Sequence, residues 1–306
     1  MNFEILIDDS FSKFNTESTL SPVDNKKILS LINDFEDGAW RYKKFQDFIW
    51  DNISETALSL KERQSLVTTP HSSLTESAKK LRLTDKEKDE TGQGSELAEI
   101  VLYGIMKHHY KALSAVPKIF NKQNSQDNAK GADSVHIVIE GEKTYSLWFG
   151  EAKFYNSIED VRLGSIVQSV ENSLHKDKIK KETSIITGLA DFELLDISKE
   201  LKEAIKKELD SSESIDNLKS KLHVPILLLH ECEITEKQNE LTDDYKNKIK
   251  AFHKARAQSY FKKQIAKLNS LHKYTEITFH IILFPVPKKD PLVKKFISNV
   301  EHYKNQ

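Results

Sequence analysis

The sequence is poor in cysteine, and its charges nearly cancel. Cys232 is the one cysteine among 306 residues, which excludes both an internal disulfide and a Cys-x-x-Cys zinc site. The 46 basic and 47 acidic residues leave a net charge of −1, so overall charge gives no reason to expect a nucleic-acid partner. No apolar run approaches the roughly 20 residues of a membrane span, and the N-terminus lacks the pattern of a secretory signal. We therefore expect a cytoplasmic protein without a membrane partner, in which any affinity for nucleic acid comes from local clusters.

Alternating helical and strand patterns predict a mixed α/β fold around a central sheet. Helical periodicity over residues 22–65, followed by "SLTESAKKLRL", predicts an N-terminal helical subdomain covering residues 1–90. The polar, glycine-containing segment 84–94 is the predicted boundary. Beyond it, the pattern predicts helices over 95–113, 156–175, 192–209 and 242–273, and strands over 183–190, 223–234 and 274–287.

A hairpin pattern in the middle of the chain carries charged residues at its end. Two runs rich in β-branched and aromatic residues flank the tight-turn sequence "EGEK". Asp133 begins the first run, and Glu151 and Lys153 close the second on one face of the strand, because strand side chains alternate. An odd loop, for example 141–143, places Asp133 directly across from Glu151, with Cβ atoms roughly 5 Å apart. An even loop places the two acids on opposite faces, unless a bulge intervenes.

Two carboxylates at this spacing repel each other, and a partly buried site makes that repulsion costly. A divalent cation removes the cost, and oxygen ligands without a nearby cysteine or histidine cluster favour Mg²⁺ or Mn²⁺. Lys153 cannot ligate a metal while protonated, but it can steer an attacking water and stabilise developing negative charge. This combination suits hydrolysis of a phosphodiester. The alternative is that the Glu-x-Lys pair is an ordinary surface ion pair, which is its usual role when it is isolated.

The order Asp133, a variable hairpin, then Glu151-x-Lys153 resembles the PD-(D/E)xK nuclease superfamily, with Ala132 where the superfamily name has proline. The stretches "SELAEIVLYGIM", "LWFGEAKFYNS" and "FHIILFPVP" are similar to the HamA family of nuclease subunits from Hachiman anti-phage defence systems. The resemblance runs from about residue 45 to residue 290 and is closest over 94–158. It implies a restriction-endonuclease-like core, a mixed sheet flanked by helices, over residues 91–306.

The resemblance also implies a function and a set of site residues. It implies a metal-dependent DNA nuclease effector that a superfamily 2 helicase partner, HamB, holds in check and releases on engaging DNA. By motif position Asp133 and Glu151 match the metal ligands, Lys153 matches the catalytic lysine, and Glu99 matches a helix glutamate that completes the metal site. Gln168 matches an accessory residue that several related nucleases carry on the helix after the catalytic strand; otherwise it is an ordinary surface position.

A long basic helix is the candidate DNA surface. The segment from Lys246 to Lys273 contains nine lysines and arginines and no acid, with Phe252, Tyr260 and Phe261 interspersed. Such a helix can follow a phosphate backbone, and its binding then weakens steeply with salt. It can equally be a solvated face or dock on an acidic partner. Because it carries no base-reading signature, we expect cleavage with little sequence preference.

Two other interpretations remain open. The chain can be a regulatory subunit that kept the fold, lost the activity and binds DNA or a partner, or it can be a restriction-type endonuclease that works without a helicase. An intact set of Asp133, Glu151 and Lys153 argues against the first, because drift is expected to break at least one position. A neighbouring helicase gene, or co-purification with a helicase, separates the second from the proposed effector.

Overall fold

One mixed sheet organises the chain. The computed structural model describes residues 3–15, 20–83, 94–121 and 132–306. In this part of the chain, seven strands form the sheet in the order β1-β2-β9-β8-β7-β6-β5, and β3 pairs only with β4. The strands are β1 Glu4–Ser10, β2 Lys26–Ile32, β3 Phe35–Glu36, β4 Ala39–Trp40, β5 Leu113–Val116, β6 Ser134–Gly141, β7 Thr144–Tyr155, β8 Leu222–Glu231 and β9 Thr278–Val286.

Helices cover both faces of this sheet. They are α1 Tyr42–Ala57, α2 Leu60–Ser65, α3 Pro70–Lys80, α4 Ser95–His108, α5 Lys118–Asn121, α6 Asp160–Ser173, α7 Lys176–Gly188, α8 Ala190–Glu193, α9 Lys199–Glu208, α10 Glu233–Glu236, α11 Asp243–Leu268 and α12 Lys289–Lys304. Helices α6, α7, α9 and α11 share one hydrophobic core with one face of the sheet. Helices α1, α3, α4 and α12 share the second core with the other face. The mixed α/β fold predicted from the sequence is therefore confirmed.

Strand direction changes at β7, where the candidate site lies. Strands β2, β9, β8 and β7 run parallel to one another, whereas β5, β6 and β7 form an antiparallel meander. The central strands β8 and β9 are buried on both faces, so their sequences are nearly continuous apolar runs. Strand β7 has 12 residues and extends beyond the start of its antiparallel partner, which leaves its C-terminal end beside β8 alone.

The helix predicted for residues 22–38 is wrong. Residues 26–32 form β2, which pairs in parallel with β9, and residues 35–40 contain the short β3–β4 pair. The physical reason is that β2 is covered on both faces. Its apolar residues Ile28, Leu29, Leu31 and Ile32 are all fully buried. A strand buried on both sides shows no alternation, so periodicity alone does not distinguish it from a buried helix.

The N-terminal helical subdomain is not confirmed as a separate unit. Helices α1 to α3 do form within residues 42–80, but β1 and β2 belong to the central sheet. Phe45 and Phe48 of α1 pack in the same core as Trp148 and Phe284 of the sheet. The division at residue 90 stays a prediction, because the predicted boundary lies almost entirely at 84–93, outside the described residues.

The strand predicted for residues 183–190 is also wrong, because these residues complete α7 and begin α8. Buried Ile179, Glu182 and Ile186 recur at helical spacing and face the first core, which outweighs the β-branched composition of the segment. As to membranes, the described part of the chain contains no helix with the length and apolar character needed to span one.

Candidate functional site

The β6–β7 hairpin places Asp133 and Glu151 on the same face. Its turn is the two-residue pair Glu142–Lys143, and a bulge between Ile139 and Gly141 shifts the register. From Ile139 back to Ser134 the strands pair in one continuous register that ends with Ser134 opposite Gly150. The next pair outward is Asp133 and Glu151. The prediction that the two acids face each other across the hairpin is thus confirmed. The loop has an even number of residues, and the bulge restores the register that an odd loop would have given.

Asp133 is held where β6 begins. Its backbone N–H donates to the carbonyl oxygen of Gly150 at 2.8 Å. Its Oδ2 accepts hydrogen bonds from the backbone N–H of Ala152 at 3.1 Å and from the Lys153 ammonium at 3.4 Å. A backbone donor that does not move fixes the carboxylate more firmly than a side-chain donor alone, so Asp133 is oriented toward β7.

Glu151 is the most buried member of the cluster. Its Oε1 accepts hydrogen bonds from the Lys153 Nζ and from the Ser169 hydroxyl of α6. The Glu151 side chain is 6% exposed, against 20% for Asp133 and 29% for Lys153. The cluster is therefore closed on the side of α6 and open on the side of Asp133 and Lys153. Ser169 was not predicted from the sequence.

The charges of this cluster do not balance. Burial raises the pKa of Glu151, and the nearby Asp133 carboxylate raises it further, while Lys153 and the Ser169 hydroxyl oppose the rise. Burial alone would lower the pKa of Lys153, but Asp133 and Glu151 outweigh it and hold the pKa above its ordinary value. One ammonium between two carboxylates leaves a net negative charge, which favours the binding of an additional cation.

The donor set matches a hard divalent cation. Mg²⁺ is commonly bound through one or two carboxylates and keeps several waters, and Asp133 and Glu151 supply two such carboxylates at a partly open position. Across residues 3–15, 20–83, 94–121 and 132–306, no group of three or more histidine, cysteine, aspartate or glutamate side chains is arranged to hold a metal. The described residues therefore offer two protein ligands at this point, Asp133 and Glu151.

Glu99 lies on α4, which crosses the opposite face of β7. A Cβ atom built on Gly94, just before α4, would lie 3.0 Å from the Phe154 side chain of β7. A Cβ atom built on Gly150 of β7 would lie 3.0 Å from the Leu102 side chain of α4. Helix α4 thus runs antiparallel to β7, and Glu99 lies near the level of Glu151 along the strand. It is buried, 4% exposed. Glu151 and Lys153 point to the face of the sheet opposite α4, and the role of Glu99 as a third ligand stays a prediction.

Gln168 is placed away from the cluster. Its side-chain amide donates to Glu171 and Asn172 of the same helix at 2.6 and 3.2 Å, and the residue is exposed. Its neighbour Ser169 makes the contact with Glu151 instead. The inward-facing residues of α6 could have indicated this from the sequence, since they recur at helical spacing and put position 168 on the far side; they are Leu163, Ile166, Val167 and Val170.

The basic helix predicted over 242–273 forms α11, but its aromatic residues are not free to stack on bases. Tyr260 and Phe261 are fully buried in the first core, and Phe252 packs against that core. Several of its cations pair with acids on other elements, including Lys246 with Glu4 at 2.8 Å. Others pair the same way, namely Arg256 with Asp160 and Lys267 with Glu171. Helix α11 packs beside α6 and so borders the cluster, and DNA binding by this surface stays a prediction.

Comparison with known proteins identifies the family of the chain. The family model described as HamA matches residues 8–300, which is nearly the whole of the 306-residue chain. A search of curated proteins finds no match. The family match covers the hairpin with Asp133, Glu151 and Lys153, helix α4 with Glu99, and the strands on either side of the site. The chain therefore belongs to the HamA family, which associates it with Hachiman anti-phage defence.

Proposed function

We propose that this chain is a metal-dependent DNA nuclease, a deoxyribonuclease that uses Mg²⁺ or Mn²⁺ and cleaves with little sequence preference. The observation that carries the proposal is the convergence of two carboxylates and one ammonium at the end of the β6–β7 hairpin. The Oδ2 of Asp133 and the Oε1 of Glu151 both accept hydrogen bonds from the Lys153 Nζ. A cluster with excess negative charge and one open side suits a cation and an anionic substrate together.

Each residue has a distinct proposed role. Asp133 and Glu151 would hold the metal, with Glu99 of α4 as the proposed third acid. The Ser169 hydroxyl and the Ala152 N–H donate to the two carboxylates and so orient them. When bound, a divalent ion would supply Lewis-acid polarisation of a phosphoryl oxygen and lower the pKa of a water molecule.

Lys153 is proposed to act as a cation, not as a base. Its raised pKa keeps the Nζ protonated at neutral pH, so it donates hydrogen bonds and cannot accept a proton. From its position it can orient an attacking water and stabilise negative charge that develops on the phosphate. At 29% exposed, its side chain is the most accessible of the three and faces the open side of the cluster.

Membership of the HamA family supports a biological setting for this activity. We propose that the chain is the nuclease effector of a Hachiman defence system, acts in the cytoplasm, and is restrained by a superfamily 2 helicase of the HamB type until that helicase engages DNA. The basic face of α11, next to α6 and the cluster, is the proposed path of the DNA backbone.

The decisive test is cleavage of unrelated linear and circular DNAs by the purified protein, alone and together with its helicase partner. Mg²⁺ should permit cleavage and EDTA should stop it. Lys153→Ala should fold normally and lose about 100-fold or more in cleavage rate, because it removes the charged donor from the site. Glu151→Ala should in addition lose metal binding, which isothermal titration with Mn²⁺ measures directly.

Lys143→Ala is the matched control, because Lys143 is an exposed residue in the turn at the other end of the same hairpin. It should cleave at the parent rate. A folded Lys153→Ala protein that cuts as fast as the parent contradicts the proposed function. Absence of cleavage by the free protein and by the helicase complex with DNA, in the presence of Mg²⁺, would favour the inactive regulatory subunit instead.

A further inference from the structure

A buried glutamate outside the cluster holds the residue that precedes Asp133. Glu182 of α7 accepts a hydrogen bond on its Oε1 from the backbone N–H of Ala132 at 3.1 Å. Its Oε2 accepts a charge-assisted hydrogen bond from the Nζ of Lys118, at the start of α5, at 2.5 Å. Glu182 is 2% exposed and Lys118 is 6% exposed. One carboxylate therefore connects two chain segments that lie apart in the sequence, and one of them leads directly into β6.

The same contacts continue to α4, the helix that carries Glu99. The hydroxyl of Tyr103, one turn after Glu99, donates to the carbonyl oxygen of Val116 at 2.6 Å and accepts from the backbone N–H of Lys118 at 3.2 Å. Tyr103 is fully buried, and burial raises its pKa, with smaller contributions from Glu99 and Glu182. The fragments that carry Glu99 and Asp133 are thus joined through Tyr103, Lys118 and Glu182.

We propose that Glu182 is a positioning residue for the candidate site, an inference that rests on the proposed nuclease function. Its bond to Ala132 fixes the point at which β6 begins, and Asp133 is the next residue. Without that bond, Asp133 keeps its own contacts with β7, but the backbone position of Ala132 before it is no longer fixed. The Asp133 carboxylate then samples more orientations. Groups that orient a metal ligand from behind typically account for about 10- to 100-fold in metal affinity or activity.

Lys118 has a different part in this arrangement. A carboxylate buried this deeply needs a counter-charge to remain ionised, and Lys118 supplies it. The bond to Ala132 needs only an acceptor oxygen, which a neutral amide also provides. The proposal therefore separates the two contacts: the acceptor for Ala132 matters for the site, and the charge matters for stability.

Two double variants test this separation. The first, Glu182→Gln with Lys118→Met (the Gln/Met variant), removes both charges but keeps an oxygen that accepts a hydrogen bond from the Ala132 N–H. The second, Glu182→Leu with Lys118→Met (the Leu/Met variant), has nearly the same shape and charge as the first but lacks the acceptor. Both remove a buried ion pair as a pair, so neither leaves an uncompensated charge. Circular dichroism and thermal unfolding establish that each variant is folded before the functional comparison.

Amide hydrogen exchange of the metal-free proteins is the first readout. The Leu/Met variant should exchange faster over residues 132–140 than the parent, with β8 and β9 unchanged, and the Gln/Met variant should match the parent. The second readout is the Mg²⁺ concentration for half-maximal cleavage. It should rise about 10-fold in the Leu/Met variant and stay within about 3-fold in the Gln/Met variant.

Several outcomes overturn the proposal. A folded Leu/Met variant with parent-like exchange and Mg²⁺ dependence shows that Glu182 does not position Asp133. Equal losses in both double variants assign the effect to the charges instead. If the Leu/Met variant does not fold, Glu182→Ala with Lys118→Met replaces it, because this variant also lacks the acceptor and leaves no uncompensated charge. Parent-like exchange and Mg²⁺ dependence there contradict the proposal, and faster exchange over residues 132–140 with an about 10-fold higher Mg²⁺ requirement supports it. If the parent itself never cleaves DNA, the proposed function fails, and hydrogen exchange still decides whether Glu182 fixes the start of β6.

Discussion

Two polar clusters lie between the sheet and the helices α6 and α11, and they differ in charge and in access. One is the site cluster of Asp133, Glu151 and Lys153. The other is a chain of neutral groups in which the Ser30 hydroxyl donates to His253 at 2.7 Å and His253 meets His230 at 3.3 Å. His230 in turn contacts the carbonyl oxygen of Glu231 at 2.9 Å.

The histidine chain, defined as Ser30, His253 and His230, is closed. All three residues are fully buried, and each hydrogen bond in the chain pairs one donor with one acceptor when both imidazoles are neutral. Burial lowers the pKa of His230 to about 4 and lowers that of His253 as well, which keeps the rings neutral. The site cluster has two negative groups for one positive group and is open on one side. Buried polarity alone therefore does not separate the two clusters; charge imbalance and access do, and both favour the site cluster as the candidate functional site.

The comparison predicts its largest effect for Glu151→Gln. This change should reduce cleavage by about 100-fold or more, because the amide is a poor ligand for a hard cation. It should not lower the melting temperature, since the raised pKa of Glu151 shows that the fold already disfavours the charge. Cleavage rates and differential scanning fluorimetry measure the two effects. A melting temperature that falls along with activity would show that the site cluster is structural, like the histidine chain.

His230→Leu should have the opposite pattern. It leaves the Nε2–H of His253 buried without its acceptor, which costs about 1–3 kcal/mol of unfolding free energy. Cleavage should be unchanged once the protein is folded. Urea denaturation measures the free energy, and the DNA cleavage assay supplies the control. A 10-fold loss of cleavage in a folded His230→Leu protein would connect the histidine chain to the site.

The two clusters should also respond to pH with opposite signs. Between about pH 6.5 and pH 4 the unfolded chain takes up protons that the buried His230 and His253 exclude, so the unfolding free energy falls as pH falls. The slope contributed by each histidine approaches about 1.4 kcal/mol per pH unit. Glu151, with its raised pKa, binds its proton more tightly when folded and partly offsets this loss. Urea denaturation as a function of pH should give a steeper acid loss for Glu151→Gln and a shallower one for His230→Leu.

The smallest effects concern the approach of α4 to the site. A Cβ atom built on Gly150 would lie 2.2 Å from the Ser134 hydroxyl and 3.0 Å from Leu102. Gly150→Ala should therefore lower the free energy of unfolding by about 1–3 kcal/mol. It should also reduce cleavage modestly by displacing α4. Gly164→Ala on α6 is the control, because no atom lies within 4 Å of its ideal Cβ; it should stabilise the protein by about 0.5–1 kcal/mol. Unchanged stability in Gly150→Ala would contradict the close contact between α4 and β7.

Local sequence patterns predicted the hairpin that carries the acids of the candidate site. Its contacts with the surrounding helices depend on long-range packing and were not predicted. The hairpin was predictable because alternation and a tight turn confine Asp133 and Glu151 to a few registers, although the bulge that selects one was not visible. Ser169 was missed, since a serine within a helix carries no chemical signal until the strand it faces is known. Glu182 was missed for the same reason, because its partners Lys118 and Ala132 are far away in the sequence.

The errors have a related cause. The segment 22–38 was assigned from the spacing of its apolar residues and the segment 183–190 from a short apolar run, and the conformation of both is decided by what packs on them. Strand β2 exists because β9 lies beside it, and the end of α7 is helical because its inward face packs on the first core. Propensity is a weak prior that tertiary contacts override.

The pairing of β2 with β9 has a consequence for how the protein is made. Asn25, just before β2, donates to the carbonyl oxygen of Ile277, 252 positions further along the chain. A ribosome must therefore synthesise β9 before the first two strands can join the sheet and before β8 gains its second neighbour. Contacts between such distant segments form slowly. For a proposed DNA-cutting protein, this connectivity delays assembly of the sheet that supports the reactive hairpin until late in translation.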